Sequence, residues 1–273
     1  MSPGNQNGME EVQPYHFTTS SEIHLWLLPI GEVPPDYFPE FHQLLSPEEQ
    51  KRNQRYVFEK DRICHLLTRV FIRKLLAAYL AVAPSELQFE ENNHGRPALI
   101  WPDGKSKLNF NLSHAGKMIV CGVVQEGTIG IDVEPIDREV KIHLASSFFA
   151  KIELEELSKL PPEQQKEHFL RLWTLKEAYI KARGKGLAIA LDSFAFYNFE
   201  EKGMCFWEQF SEESKGHWSF FSLKPLLGHK IAGAWNDLLP IKERNAIRVR
   251  KFLPLGQVYV SDLAVVIEHF NLI

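Results

Sequence analysis

Trp173-Thr174-Leu175-Lys176-Glu177-Ala178-Tyr179-Ile180-Lys181 is the stretch whose reading decides the fold. Wound as a helix, it sets Trp173, Glu177 and Lys181 at i, i+4 and i+8, so one face carries an aromatic ring, an acid and a base in a row. Pro161-Pro162 precedes it and Gly184 follows it, which bounds a helix from about Glu163 to Arg183. Some forty residues upstream, Ile129-Gly130-Ile131-Asp132-Val133-Glu134 alternates as a strand does: Asp132 and Glu134 share one face, Ile131 and Val133 the other. A helix laid on that strand brings Asp132, Glu134 and Glu177 together. Three carboxylates repel one another unless a cation sits among them, and an all-oxygen set favours magnesium, or a similar hard ion such as manganese, over zinc.

Composition bounds what such a site could serve. The chain has 273 residues, 44% hydrophobic and 24% charged, enough for one large domain or two small ones. A net charge of -4 argues against a nucleic-acid partner held by a basic surface. Cys64, Cys121 and Cys205 are scattered and odd in number, fitting neither a disulfide framework nor a zinc site, and point to a reducing cytoplasm. No apolar run reaches the ~20 residues of a membrane span, and no basic-then-apolar leader opens the chain. The expectation is a cytoplasmic protein with no membrane partner.

In chain order, residues 1–20 read as a mobile polar extension. Ile23 to Leu28 reads as a buried strand. Ser46-Pro47-Glu48-Glu49 opens a helix with a capping box, and the helical pattern runs with interruptions through Tyr56 and Phe58 to Val82, stopped by Pro84. Leu87 to Phe89, the turn His94-Gly95-Arg96-Pro97, and Leu108 to Val124 with a hairpin at Ala115-Gly116 form a sheet region. After the Asp132 strand come helical segments at Ile142 to Phe149 and Glu153 to Leu160, the long helix, and strands at Ser193 to Phe199, Cys205 to Trp207, Trp218 to Leu223 and His229 to Trp235. Phe110-Asn-Leu112 with Lys117 to Gly122 resembles Phe221-Ser-Leu223 with Lys230 to Trp235, and each follows a long helix. Chance similarity of two apolar hairpins is the competing reading. A true repeat makes this an α+β chain of two similar halves, 21–126 and 127–240, related by a pseudo-twofold axis. Each half is then a small antiparallel sheet packed with a long helix, and the ligand crevice lies between them.

The strings Asn109-Phe-Asn-Leu-Ser-His114, Gly130-Ile-Asp-Val-Glu134 and Trp173 to Lys181 with Gly184-Lys-Gly186 resemble the motifs of the 4′-phosphopantetheinyl transferases. The likeness is to their large single-chain surfactin-type subfamily. Their order and spacing, with Ser46-Pro-Glu-Glu and Gly95-Arg-Pro97, make the combination specific, from about Ile23 to Trp235. The resemblance implies transfer of the phosphopantetheine arm of coenzyme A to a serine of an apo carrier protein, acyl or peptidyl, with release of 3′,5′-ADP. It implies magnesium on Asp132, Glu134 and Glu177, and Lys181 at the diphosphate. It also implies coenzyme A contacts from Arg52, Gly95, Arg96, Pro97, Ser113 and His114. For the base, Glu177 or a metal-bound water could serve, with Glu153 a further candidate from its place after Phe148-Phe149. Two departures stand out: Arg96 where the family often has lysine, and Glu49 where some members carry one.

Other readings compete residue by residue. Asp132 and Glu134 alone read equally as exposed acids on an edge strand, and Glu177 with Lys181 as a surface pair. Trp173 reads as core. Arg55, Arg69, Arg73 and Lys74 read as solvated helix faces. Phe148, Phe149 and Ile152 to Leu157 offer either a carrier landing surface or inward packing. Segment 241–273, with Arg248-Val-Arg-Lys251, has no family counterpart and is expected to pack on the second half. The expected molecule is a monomeric transferase. A magnesium-dependent phosphodiester hydrolase and a carrier-binding scaffold without chemistry are the alternatives.

Overall fold

A computed structural model describes residues 16–17, 19–92, 95–100, 108–198, 204–208, 217–237, 247–255, 259–262 and 267–272. Strand β1 (Ile23–Pro29) is followed by helices α1 (Phe38–Gln43), α2 (Pro47–Gln54) and α3 (Glu59–Leu80). The Ser46 capping box forms as expected: Glu49 N donates to Ser46 Oγ at 3.3 Å, and Ser46 N to the Glu49 carboxylate at 2.8 Å. Helix α3 ends at Leu80, short of Val82, because Ala81 turns left-handed at φ 52° and Val82 N reaches back to Ala77 O. Hairpin β2 (Gln88–Glu91) and β3 (Pro97–Ile100) stands apart as a two-stranded sheet. Its turn includes Gly95 at φ +78°, and His94 lies outside the described residues.

Hairpin β4 (Asn109–Ala115) and β5 (Met118–Val124) leads to β6 (Thr128–Pro135). Then come α4 (Lys151–Lys159), α5 (Pro162–Arg183), β7 (Phe194–Asn198), β8 (Met204–Glu208), β9 (His217–Leu226) and β10 (His229–Asp237). Gly184 caps α5 at φ 64°. The chain closes with β11 (Ile247–Leu253), β12 (Tyr259–Asp262) and β13 (Ile267–Leu272).

The architecture is α+β, as expected. One sheet runs β12-β11-β1-β5-β4, the other β6-β10-β9-β13-β8-β7. The first strand of each half pairs antiparallel with the last strand of that half's hairpin, β1 with β5 and β6 with β10, and a 22-residue helix lies between them in the chain. Three apolar clusters form the layers: α3 on the first sheet, α5 on the second, and Leu25, Val120, Ile131, Val133 and Ile231 between the sheets. Each wholly buried large aliphatic side chain contributes roughly 1.5–3 kcal/mol.

The C-terminal segment corrects an expectation. It does not pack on the second half alone: β11 pairs parallel with β1 in the first sheet, and only β13 joins β9 and β8 in the second. Phe252 sinks into the first core against Trp26 and Phe71, which explains why a basic strand settles there. Residues 263–266 and most of residues 1–20 lie outside the described residues.

Candidate active site

Strand β6 supplies the acids and α5 covers them. Gly130 lets the two lie in backbone contact: a Cβ there would stand 2.0 Å from Ala178 O and 2.3 Å from Ala182 N, so only glycine fits. The helix therefore lies on the strand with Glu177 and Lys181 over Asp132 and Glu134.

Lys181 Nζ donates to Asp132 Oδ1 at 2.6 Å and to Ser113 Oγ at 2.9 Å, and Ser113 Oγ lies 3.1 Å from the same Asp132 oxygen. Asp132 Oδ2 is buried and has no hydrogen-bond partner among the described residues. Glu134 Oε1 accepts from Trp173 Nε1 at 3.0 Å and from Arg138 Nη1. Glu177 forms no hydrogen bond among the described residues. Its carboxyl is pushed above the usual range, first by burial and then by the charges of Asp132 and Glu134, with Lys181 and Arg138 opposing. The sequence places Asp132, Glu134, Glu177 and Lys181 together, and the structure sets Lys181 on Asp132 with Glu177 and Glu134 beside them; Ser113, expected at the adenosine end of coenzyme A, joins this cluster instead. Lys181 pairs with Asp132 and Arg138 with Glu134, and no three of the described His, Cys, Asp and Glu residues stand gathered at metal-binding distance. The donor set still suits a hard cation: a buried carboxylate oxygen with no donor, beside a second carboxylate whose proton affinity is raised by its neighbours.

His114 follows Ser113 at the end of β4, and burial together with the Lys181 charge lowers its pKa. Arg52 lies on the rim of a cavity of about 700 Å³ that also takes in His65, Arg69, Arg73, Phe89 and Pro97, and it pairs with Glu91 at 2.6 Å. The sequence suggested that Arg69 and Arg73 are solvated, and the structure corrects this: both are largely enclosed. Both bind Glu49, at 2.6 and 3.0 Å, and stack over Phe89. Burial works against ionised Glu49, yet the two arginines hold its carboxyl below the usual range.

Three sequence-derived roles change. Glu153 is wholly enclosed: its carboxylate accepts from Ala150 N and Phe196 N, both at 2.8 Å, and pairs with buried Lys176 at 2.8 Å. A substrate hydroxyl has no access to it, so its fitness as a base is lost to a structural task. Burial raises Glu153 and lowers Lys176 against their mutual attraction. Arg96 spends its fork on four backbone carbonyls. Trp173, expected as core, stacks with Phe169 and meets Phe148 edge-on, but offers its indole N–H to Glu134. Its place one turn before Glu177 was the available signal. Arg138 had none. Of the apolar candidates, Phe149 and Leu157 pack inward, while Ile152 is 40% exposed.

Residues 128–236 match the family model described as the 4′-phosphopantetheinyl transferase superfamily, and residues 34–125 match that of a 4′-phosphopantetheinyl transferase N-terminal domain. The 4′-phosphopantetheinyl transferase HetI of a Nostoc species is 37% identical over 170 residues, 62% of this chain and 71% of that protein. The chain belongs to the 4′-phosphopantetheinyl transferases. Bacillus subtilis Sfp, a 4′-phosphopantetheinyl transferase, is 32% identical over 57% of this chain and 67% of its own. A solved holo-[acyl-carrier-protein] synthase of Thermotoga maritima aligns with 41% of this transferase and 64% of its own chain, at 21% identity and a TM-score of 0.34. Among the described residues no helix is long and apolar enough to cross a membrane.

Proposed function

We propose that this transferase moves the 4′-phosphopantetheine group of coenzyme A to a serine hydroxyl of an apo acyl or peptidyl carrier protein, releasing 3′,5′-ADP, in a magnesium-dependent reaction. The observation that carries the reading is Asp132, with one oxygen fixed by Ser113 and Lys181 and the other buried without a donor among the described residues. Asp132, Glu134 and Glu177 are the residues that would hold the ion. Once bound, it supplies charge neutralisation for the diphosphate oxygens.

The chain's own groups do the rest. Lys181, 28% exposed, presents its ammonium to the diphosphate and offsets charge building on the leaving phosphate. The serine arrives on the carrier, so no nucleophile is needed here. Its proton passes to Glu177, the site carboxylate with no hydrogen bond among the described residues, now that Glu153 is enclosed. The cavity bordered by Arg52 and Pro97 suits the 3′-phosphorylated adenosine, with Gly95 shaping the turn beside it and His114 and Ser113 leading toward the diphosphate. The like topology of the two halves supports a pseudo-twofold arrangement with the whole cleft in one chain, and so a monomeric enzyme; three free cysteines support a cytoplasmic one.

Incubation with coenzyme A, magnesium and an apo carrier tests this by mass spectrometry of the carrier. The expected result is a gain of one phosphopantetheine, abolished by chelation and restored by magnesium. Hydrolysis of coenzyme A with an unmodified carrier would overturn it.

A further inference from the structure

We infer that Arg96 is a positioning residue, which sets the register of the three backbone segments that carry the site; the inference rests on the transferase reading above. Its Nη1 donates to the carbonyls of Lys181 at 2.7 Å and Ala182 at 3.0 Å, and its Nη2 to those of Ile129 at 3.0 Å and Phe110 at 3.4 Å. These carbonyls belong to the last turn of α5, to the edge of β6 and to β4. Lys181 is itself one of the clamped residues. Asp132 follows Ile129 by three positions and Ser113 follows Phe110 by three. One planar group therefore sets the separations that put Lys181 Nζ within bonding distance of Ser113 and Asp132.

The chemistry suits arginine alone. The last carbonyls of a helix run short of intrahelical donors, the Gly184 N–H being shared between Ile180 O and Lys181 O at 3.1 and 3.2 Å, and a cation there is favoured by the helix dipole. A guanidinium offers five N–H groups in a fixed plane, enough to span two pairs of carbonyls; an ammonium points its three protons from a single atom. The hairpin carrying Arg96 is docked by a second contact, Asn92 Nδ2 to Gly184 O at 3.3 Å, while Asn92 Oδ1 holds Arg96 N at 2.9 Å. So the turn between β2 and β3 reaches across to the end of α5.

Steady-state kinetics of Arg96→Lys and Arg96→Ala test the role with coenzyme A, magnesium and an apo carrier. Misplacement by about 1 Å costs on the order of 10²-fold in rate, so kcat falls by about that factor while KM for coenzyme A changes by no more than about threefold. The preference for coenzyme A over dephospho-coenzyme A stays as in the wild type. Guanidinium chloride at non-denaturing concentration raises kcat of Arg96→Ala and leaves the wild type unmoved. A raised KM with kcat retained, or a lost preference, would make Arg96 a phosphate contact and overturn the inference. Should Arg96→Ala fail to fold, Asn92→Ala shows a milder fall in kcat by the same route; an unchanged kcat there counts against the clamp. Hydrogen exchange needs no activity: Arg96→Lys speeds exchange at 178–184 and 129–132, and unchanged exchange refutes the inference. A wild-type chain that transfers nothing would fail the transferase reading and leave this exchange measurement to decide Arg96.

Discussion

At the scale of single residues, carboxylates of one chemical kind are given different tasks by their surroundings. Glu177 keeps a carboxylate without a hydrogen bond among the described residues, beside two other acids. Glu177→Gln removes both the charge that would hold an ion and the proton acceptor, so turnover falls by about 10²-fold or more while the fold survives, checked by single-turnover transfer and by magnesium titration calorimetry. An active variant would strip Glu177 of its role. Glu153 is the opposite case, an acid spent on a lysine and two amide N–H groups in a fully enclosed place. Lys176→Met leaves that charge buried and unpaired, at a cost of about 3–5 kcal/mol in chemical denaturation. Adding Glu153→Leu restores only part, because the amides of Ala150 and Phe196 then lose their acceptor, at roughly 1–3 kcal/mol each when buried.

At the scale of elements, α5 on β6 sets the site, and Gly130 sets their distance. In Gly130→Ala the new methyl meets backbone on two sides, which can only move with the whole helix. The helix shifts by on the order of 1 Å, stability drops by roughly 1–3 kcal/mol and kcat drops about 10²-fold, read from a thermal melt and a transfer assay on the same sample. A variant with native kcat would show that the helix position is not critical.

What the sequence shows at this scale is whatever is written locally. The Ser46 box, the Gly184 cap and the alternation Ile131-Asp132-Val133-Glu134 each specify an element from its own residues, and all three stand in the structure. The fates of Glu153, Arg69 and Arg96 are decided by partners distant in the chain: Phe196, Glu49 and the carbonyls of α5. Backbone carbonyls carry no side-chain signature, so a clamp onto them leaves no pattern to read. The pairing of β11 with β1 was hidden for the same reason, since a parallel partner can come from anywhere along the chain.

At the scale of the molecule, two sheets meet face to face, and the last strands tie the first sheet shut. Beside that seam His24 is 1% exposed, its Nδ1 2.5 Å from Tyr79 Oη and its Nε2 3.3 Å from Glu22, with Arg248 and Arg250 nearby. Burial, aided by the arginines and resisted by Glu22, lowers its pKa from 6.5 to about 4. The folded state binds the proton less readily than the unfolded one, so this stability is complete above pH 6.5 and is lost as pH falls toward 4. Its size is on the order of 3 kcal/mol. His24→Gln therefore flattens the stability curve between pH 6.5 and 4 relative to wild type; parallel curves would refute the assignment.

The same seam explains why β11 belongs to the fold's core and is no appendage. Strand β11 contributes Phe252, fully buried between Trp26 and Phe71, and Lys74 Nζ reaches past it to the carbonyls of Pro254 and Leu255. Removing that ring leaves a cavity inside the cluster that seats α3, and α3 carries Arg69, Arg73 and His65 of the 700 Å³ cavity. Phe252→Ala should cost about 3–5 kcal/mol, a large share of a total of about 5–15. The loss reads out as a lowered urea midpoint with an unchanged slope, and it should reach the ligand side as weaker coenzyme A binding at temperatures near the melt. A cost under about 1 kcal/mol would mean that the first sheet closes without its last strands.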